Sequence, residues 1–384
     1  MRALRNAASS EAPDWAWIGT CEGCGTEFPT DVVGRPRRYC SNACRQKAYR
    51  ARRGPVAGMA PGAYRSGEGW ALYVGHARQV LEVLPESSVQ TIVTSPPYFN
   101  LRDYRGNPDQ IGLEPTPAAY VEALVDVFRA SARVLRADGT LWLNIGDTYS
   151  SRANQGRSAD RHTGRGHRTG VTAARTNTVA TAPMKSLLLI PSRLALALQE
   201  DGWVVRNDVI WHKTNAMPHS VTDRLSNRYE HLLLLTRSQR YYFDLDAIKE
   251  PASGRAAGNK RRQAYAANVG TEAAARRFGI NDTSPLSETG YTHRNPGDVW
   301  SLATRGSDVD HYAMFPVELP LRCVEASTRP GDVVLDPFAG RSTTGRAALS
   351  RGRRYLGIDV NADDHDAAAT DLERVTSQGR LVDL

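Results

Sequence analysis

The chain has 384 residues, 41% of them hydrophobic, and 49 basic against 41 acidic side chains, a net charge of +8 with a pI near 9.3. That length exceeds what one core usually serves, so a large domain with a small appendage is expected. No apolar run approaches the roughly 18 residues of a membrane span, and Met1 to Asp14 lacks the apolar block of a secretion signal. These features argue against membrane and exported classes and predict a soluble, cytoplasmic protein. The basic balance favours a polyanionic partner.

Four of the five cysteines fall in the first 44 residues, as Cys21-x2-Cys24-x15-Cys40-x3-Cys44. Two close pairs separated by a loop are what a tetrahedral zinc site needs, and in a reducing compartment that reading outweighs disulfides. Ser41 can cap a helix that carries Cys44 and continues through Arg45 to Arg53, strongly basic throughout. Residues 1–53 are therefore expected to form a four-cysteine, zinc-finger-like module. Its helix would lie on DNA phosphates or present a solvated basic face. Residues 54–69, rich in Pro and Gly, read as a linker, and 70–384 as the large domain.

That domain opens with a strand, Trp70 to Gly75, and a helix from Ala77 to about Leu84. Val89, Ile92 and Val93 predict a short strand that Pro96 and Pro97 must stop, since neither can donate a ladder hydrogen bond. Ser95 Oγ and the Pro96 carbonyl can accept the hydrogens of an amino group, and Tyr98 offers a flat face for a base. That is a pocket for an extruded nucleobase, although Ser-Pro-Pro-Tyr also suits an ordinary turn. An aromatic and charged loop, Phe99 to Tyr104, follows. Apolar positions from Ala118 to Leu135 recur as on a helix packed against a sheet; Asp138-Gly139 breaks the pattern, and Thr140 to Ile145 is the next strand. Asp147 then either faces a ligand at the end of an open sheet or caps a helix.

Ser150 to Ala182 holds six arginines, one aspartate and almost no large apolar side chains. Such a segment cannot bury a core; it is an arm ordered on DNA or a disordered insertion. A helix, Pro191 to Glu200, and strands at Val204–Trp211 and His231–Leu235 come next. Pro251 to Pro296 is a second arginine-rich, irregular stretch. Asn295–Trp300 and Phe315–Pro320 are expected to return the chain to the cofactor side, and Cys323 reads as a core residue. Asp332–Asp336 is a buried strand, Phe338–Ser342 a turn, Thr343–Ser350 a helix, and Tyr355–Val360 a strand carrying Asp359. From Asp336 to Asp359 is 23 residues, near the spacing of about 20 at which an acidic side chain of a nucleotide-binding βαβ unit reaches ribose hydroxyls. An adenosine-type cofactor is the expectation.

Thr94-Ser95-Pro96-Pro97-Tyr98 followed far downstream by Asp336-Pro337-Phe338-Ala339-Gly340-Arg341-Ser342-Thr343-Thr344 resembles the amino-methylating DNA methyltransferases of the β arrangement. Gly139–Asp147, Trp211–Asn215, Asp223-Arg224, Asn295–Trp300 and Phe315–Pro320 extend the likeness over roughly Trp70 to Val375. The resemblance implies a Rossmann-like α/β fold with a mixed, mostly parallel sheet and S-adenosylmethionine as cofactor. It implies catalytic roles for Ser95, Pro96, Pro97 and Tyr98. Cofactor contacts would come from Asp336, Pro337, Phe338, Ala339, Gly340, Ser342, Thr343 and Asp359, with Phe315 and Pro316 walling the methionine end. Lys213 and Arg224 would lie near the DNA strand or in surface salt bridges. Residues 251–296 match a target-recognition region by position, with Arg261, Arg262, Arg276 and Arg277 as base-reading candidates.

Two departures stand out. His76 occupies a position where family members carry a cofactor-contacting aspartate, and Ser342 replaces a glycine, which would strain the loop if φ is positive there. Serine rather than aspartate at position 95 favours N4-methylcytosine in double-stranded DNA, with adenine-N6 as the alternative. A non-catalytic DNA-binding protein and a methylase of protein side-chain amides are further readings. Partners would be double-stranded DNA and a restriction endonuclease encoded separately, with no membrane.

Overall fold

The computed structural model describes residues 17–21, 26–30, 62–104, 110–150, 171–173, 182–216, 220–251, 293–304 and 315–377. Near the N-terminus β1 (Trp17–Thr20) and β2 (Glu27–Thr30) form an antiparallel hairpin, closed by a hydrogen bond from the Cys21 amide to the Thr26 carbonyl at 2.9 Å. In chain order there follow β3 (Arg65–Gly67), β4 (Trp70–Val74), α1 (Ala77–Val83), β5 (Val89–Thr94), β6 (Arg102–Tyr104), α2 (Pro117–Val134), β7 (Leu135–Ile145) and β8 (Val171–Ala173). The second half adds α3 (Ile190–Glu200), β9 (Val204–Lys213), β10 (Tyr229–Thr236), β11 (Glu250–Pro251), β12 (His293–Arg294), β13 (Val299–Leu302), α4 (Glu318–Ser327), β14 (Val333–Asp336), α5 (Thr343–Ser350), β15 (Arg354–Asp359) and α6 (Ala362–Ser377).

Nine strands make one sheet in the order β13-β9-β10-β7-β5-β14-β15-β4-β3, with β10 and β3 antiparallel to their neighbours and the rest parallel. All six residues of β5 and all four of β14 are buried, as parallel strands covered on both faces require. Alternation sorts the side chains between two cores. Ile92, Leu141, Leu233 and Leu335 pack with α1, α2 and α3, while Val93, Trp142, Leu232 and Val334 pack with α4, α5 and α6. Cys323 is in the second core, fully buried on α4. Helix α2 starts where the sequence changes character: Thr116 Oγ1 accepts from the Ala119 amide at 3.1 Å, and a proline occupies the first turn, both stabilising choices for a helix start.

Most expected elements stand within a residue or two of the sequence reading, and the differences have local causes. β7 begins at Leu135, but its regular ladder starts at Thr140; Val89 faces Leu135 and Thr91 faces Thr140, so residues 136–139 bulge around Asp138-Gly139. The arginine-rich stretch after Ser150, expected to lack structure, contributes Val171–Ala173 as a strand paired with Arg102–Tyr104. Val299–Leu302 does not return to the cofactor side. It is the edge strand beside β9, placed there because Trp300 is buried against Trp142 with ring centroids 5.8 Å apart.

Both excursions leave and re-enter through paired backbone. Tyr149 bridges Leu187, and the Ser150 amide donates to the Ser186 carbonyl at 2.7 Å. Glu250 and Pro251 pair with Arg294 and His293.

Candidate active site

The order of the sheet reverses between β5 and β14, and the crevice beyond the carboxyl ends of such neighbours is where open α/β sheets bind ligands. Here the chain after β14 moves to its neighbour β15 on one side, whereas that after β5 moves the other way to β7. The two strand ends are tied side chain to side chain: Thr94 Oγ1 donates to Asp336 Oδ1 at 2.6 Å. The next residues along each strand are Ser95 and Pro337. Parallel pairing of β5 with β14 thus sets the two motifs side by side and this hydrogen bond ties their ends, although 242 residues separate the partners.

A cleft opens there, lined by Ser95, Pro96, Pro97 and Tyr98 from one side and by Asp336, Pro337, Phe338, Ala339, Gly340 and Thr343 from the other. Phe315 and Asp359 also line it, as do His76, Arg341, Asn361 and Asp364. Of the residues expected to hold a cofactor, Pro316 and Ser342 are buried behind the lining.

Asp336 is a latch. Its Oδ1 takes Thr94 Oγ1 and the Phe338 amide at 3.1 Å, and its Oδ2 lies 2.9 Å from Thr344 Oγ1 on α5. Burial pushes its pKa up to about 6 despite these donors. Thr344 Oγ1 also donates to the Val93 carbonyl at 3.1 Å. A hydroxyl has one hydrogen, so Asp336 carrying its proton on Oδ2 completes the chain that an ionised carboxylate leaves one hydrogen short.

Asp359 ends β15. Its Oδ2 accepts from the Gly340 amide and its Oδ1 from the Asn361 amide, both at 2.9 Å. Each oxygen keeps a second lone pair, and the residue lies on the cleft. Burial raises its pKa as well. Phe338 is held edge-on to Phe128, centroids 6.5 Å apart at 70°. Acceptors for hydroxyls on Asp359, the aromatic walls Phe338 and Phe315, and the acidic side chains of Asp359 and Asp364 make this lining fit a nucleoside cofactor bearing a sulfonium. His76, where an aspartate was expected, accepts from the Arg78 amide on Nδ1 at 3.2 Å and so caps α1.

The Tyr98 hydroxyl donates to Glu230 Oε2 at 2.5 Å and lies 3.2 Å from Asn144 Oδ1; Ser95 Oγ is 3.5 Å away. Burial, and then the charge of Glu230, drives the phenol pKa well above its ordinary value. Its ring covers Gly146, where an added Cβ would sit 2.7 Å from the ring edge. The Pro97 carbonyl is taken by the Tyr120 hydroxyl at 2.8 Å and the Tyr98 carbonyl by the Leu101 amide at 3.3 Å.

Lys213 is ion-paired with Glu230 and sits 4.8 Å over the Trp211 ring. Arg224 lies 3.9 Å over the Tyr149 ring at the neck of the first excursion. Neither lines the cleft. Asp147 is a cap: its Oδ1 accepts from the Thr148 and Ile190 amides at 2.8 and 3.1 Å, at the start of α3. Arg261, Arg262, Arg276 and Arg277 lie outside the described residues, as do Cys24, Cys40, Cys44 and the basic helix; Cys21 is buried at the end of β1. No group of three or more metal-ligating side chains occurs among the described residues. No role for Glu230, Asn144 or Gly146 came from the sequence reading, since strand alternation does not mark partners 46 to 132 residues away in the chain.

A sequence profile for DNA methylases of the N6/N4 type matches residues 89–370, well over half the chain. The chain belongs to this family. Among relatives of this DNA methylase, the Type II methyltransferase M.Cfr9I of Citrobacter freundii is 39% identical over 305 residues, spanning 79% of this chain and 88% of its own. M.SmaI of Serratia marcescens is 38% identical over 291 residues, spanning 76% and 86%. The cytosine-N4-specific PvuII DNA methyltransferase superposes with a TM-score of 0.54 at 14% identity, over 83% of this chain and 95% of that one, a likeness of fold. Among the described residues, no helix of the methylase is long and apolar enough to cross a membrane.

Proposed function

We propose that the protein transfers a methyl group from S-adenosylmethionine to the exocyclic N4 amino group of cytosine in double-stranded DNA. The observation that carries this reading is the Thr94–Asp336 link, which opens the Ser95–Tyr98 turn and the Asp336–Gly340 loop onto one cleft. S-adenosylmethionine, when bound, supplies an electrophilic methyl on a sulfonium. Asp359 would hold its ribose hydroxyls, and Phe338 and Phe315 would wall it.

An aromatic amine is a poor nucleophile because its lone pair is delocalised into the ring. Acceptors on both its hydrogens, Ser95 Oγ and the Pro96 carbonyl, favour a pyramidal nitrogen and offset the positive charge that develops on it. The Tyr98 ring would stack the flipped base, a contact worth roughly 1 to 3 kcal/mol. The family resemblance supports cytosine over adenine, since position 95 is serine rather than aspartate. The same reading includes a restriction endonuclease encoded separately as a functional partner.

Nucleoside mass spectrometry on DNA from a methylation-free host expressing the protein tests this, beside a Ser95→Ala control. N4-methylcytosine with the intact protein alone is the expected result. N6-methyladenine overturns the base assignment, and no modified base overturns the enzymatic reading.

We also propose one structural zinc ion on Cys21, Cys24, Cys40 and Cys44. Four thiolates suit that metal, and the β1–β2 hairpin supports the reading because the Cys21–Thr26 hydrogen bond closes the stretch of sequence that holds Cys24. Elemental analysis of the purified full chain should give one zinc per molecule, and a value near zero refutes the site.

A further inference from the structure

Glu230 sits on β10 with a side chain only 13% exposed, one oxygen accepting from Tyr98 and the other paired with Lys213. Tyr98 has a second acceptor behind it. The Asn144 amide nitrogen donates to the His231 carbonyl at 3.1 Å, which turns the amide oxygen toward the phenol at 3.2 Å. A phenol carries one hydrogen. Both groups behind it can only accept, so that hydrogen points away from the cleft. Ser95 Oγ, 3.5 Å from the same hydroxyl, can then meet it only as a donor. The distance is long, as hydrogen bonds of unliganded sites often are before substrate closes them. With its single hydrogen directed inward, the serine has lone pairs left for the cleft.

We propose that Glu230 is a positioning residue which, through Tyr98, fixes the Ser95 hydroxyl as an acceptor and so selects bases with an amino group over bases with a carbonyl at the reacting position. This rests on the methyltransferase reading above. A thymine or guanine carbonyl in the same place meets lone pair against lone pair, an unpaired arrangement that costs more than the bond it replaces gains. The Lys213 ammonium occupies the other oxygen of Glu230 and so holds the carboxylate in place behind Tyr98.

Glu230→Gln tests it, since a glutamine amide donates to the Tyr98 oxygen and removes the acceptor at 2.5 Å that holds the phenol hydrogen. That hydrogen is left to divide between Asn144 Oδ1 at 3.2 Å and Ser95 Oγ at 3.5 Å, which releases the serine hydrogen toward the cleft. On an unmethylated duplex carrying the mapped site, kcat should fall about 10- to 100-fold, as when one preorganised polar contact of a reacting site is lost. KM for DNA and for S-adenosylmethionine should stay within about twofold, since ground-state contacts are untouched. Tyr98→Phe leaves the Glu230–Lys213 pair alone but also frees the serine hydrogen. Its kcat should fall similarly, and the double variant should be no slower than either single one. A merely structural role of Glu230 predicts instead that the two losses multiply. A methylating wild type whose Glu230→Gln variant keeps its kcat, or whose two losses multiply, overturns this inference alone. A wild type that methylates nothing removes the functional reading and the inference with it.

Discussion

Ser342 has φ 55° and ψ 44°, in the left-handed region, and its side chain is fully buried. That conformation costs a residue with a Cβ roughly 1 to 2 kcal/mol. The offsetting contact is slight, a hydrogen bond from the Tyr355 hydroxyl to Ser342 Oγ at 3.3 Å, worth about 0.5 to 1 kcal/mol. Ser342→Gly should therefore raise the melting temperature by a few degrees, whereas Ser342→Ala, which keeps the strain and loses the bond, should lower it. Thermal melts in the order Gly, Ser, Ala from most to least stable check the balance; a glycine variant less stable than wild type means that the buried bond outweighs the strain. Asp336 carries a pH signature of its own. Its folded pKa of about 6 lies above the ordinary aspartate value of 3.8, so between those values the native state binds more protons than the unfolded chain. Stability from this group is full below about pH 4, declines as pH rises, and levels off above about pH 6, a change of roughly 3 kcal/mol. Asparagine matches the pattern of the protonated acid, with its oxygen to Thr94 and Phe338 and its amide to Thr344. Denaturant titrations of Asp336→Asn should lack this decline, leaving the variant more stable than wild type at pH 7. An unchanged slope between pH 4 and 6 assigns the proton elsewhere.

Gly146 follows directly on β7 and lies under the Tyr98 ring. Its φ is not positive, so an added methyl meets no backbone objection, only the ring. Gly146→Ala should displace Tyr98, lowering methylation about tenfold or more through misplacement of a stacking group, with cofactor affinity unchanged because the far wall of the cleft is untouched. Fluorescence titration with S-adenosylmethionine beside a methyl-transfer assay separates the two, and equal losses in both would place the defect in the fold. The elements on either side of this contact differ in how far the sequence announced them. β14, α5 and β15 were readable nearly to the residue, because a short apolar run, a Gly-containing turn and a second apolar run leave little freedom. β6 and β8 were not. Three-residue strands joined through backbone hydrogen bonds need no apolar run, and Val171–Ala173 lies in a stretch whose composition argued against structure. The position of Val299–Leu302 was also hidden, since an edge strand placed by one buried tryptophan looks in sequence like any short apolar segment. Ser95 to Tyr98 and Asp336 to Gly340 were readable as motifs, whereas the carboxylate behind Tyr98 was not. Strand alternation says which face Glu230 shares but not what lies opposite it.

Much of the positive charge of the chain falls in two excursions. Residues 151–181 carry six arginines against one aspartate, and residues 252–292 carry six basic against three acidic side chains, net +5 and +3, which together equal the total of +8. Outside them the N-terminal residues 1–61 are also basic, net +5, and what is left of the chain is net −5, so a polyanion is met by the excursions and the N-terminal stretch rather than by the sheet scaffold. The second excursion is joined to the fold by an antiparallel ladder whose last pair is Pro251 and His293, a spacing that a two-residue Asn-Gly turn closes without moving either strand. Replacing 252–292 by that turn should therefore leave the sheet, the cleft and cofactor affinity intact. Binding to DNA should weaken and lose salt dependence, with the slope of log K against log salt falling by roughly 2 to 5, since each phosphate contact contributes about 0.9. Site-specific methylation should disappear, because backbone contacts elsewhere position the duplex but do not read it. Cofactor titration, salt-dependent binding and sequencing of modified sites together check this. A variant that still methylates the same sequence with the same salt slope shows that recognition resides in the scaffold, and would move attention to the first excursion, whose neck is held against Arg224 and Asp223 through Tyr149 and Lys185.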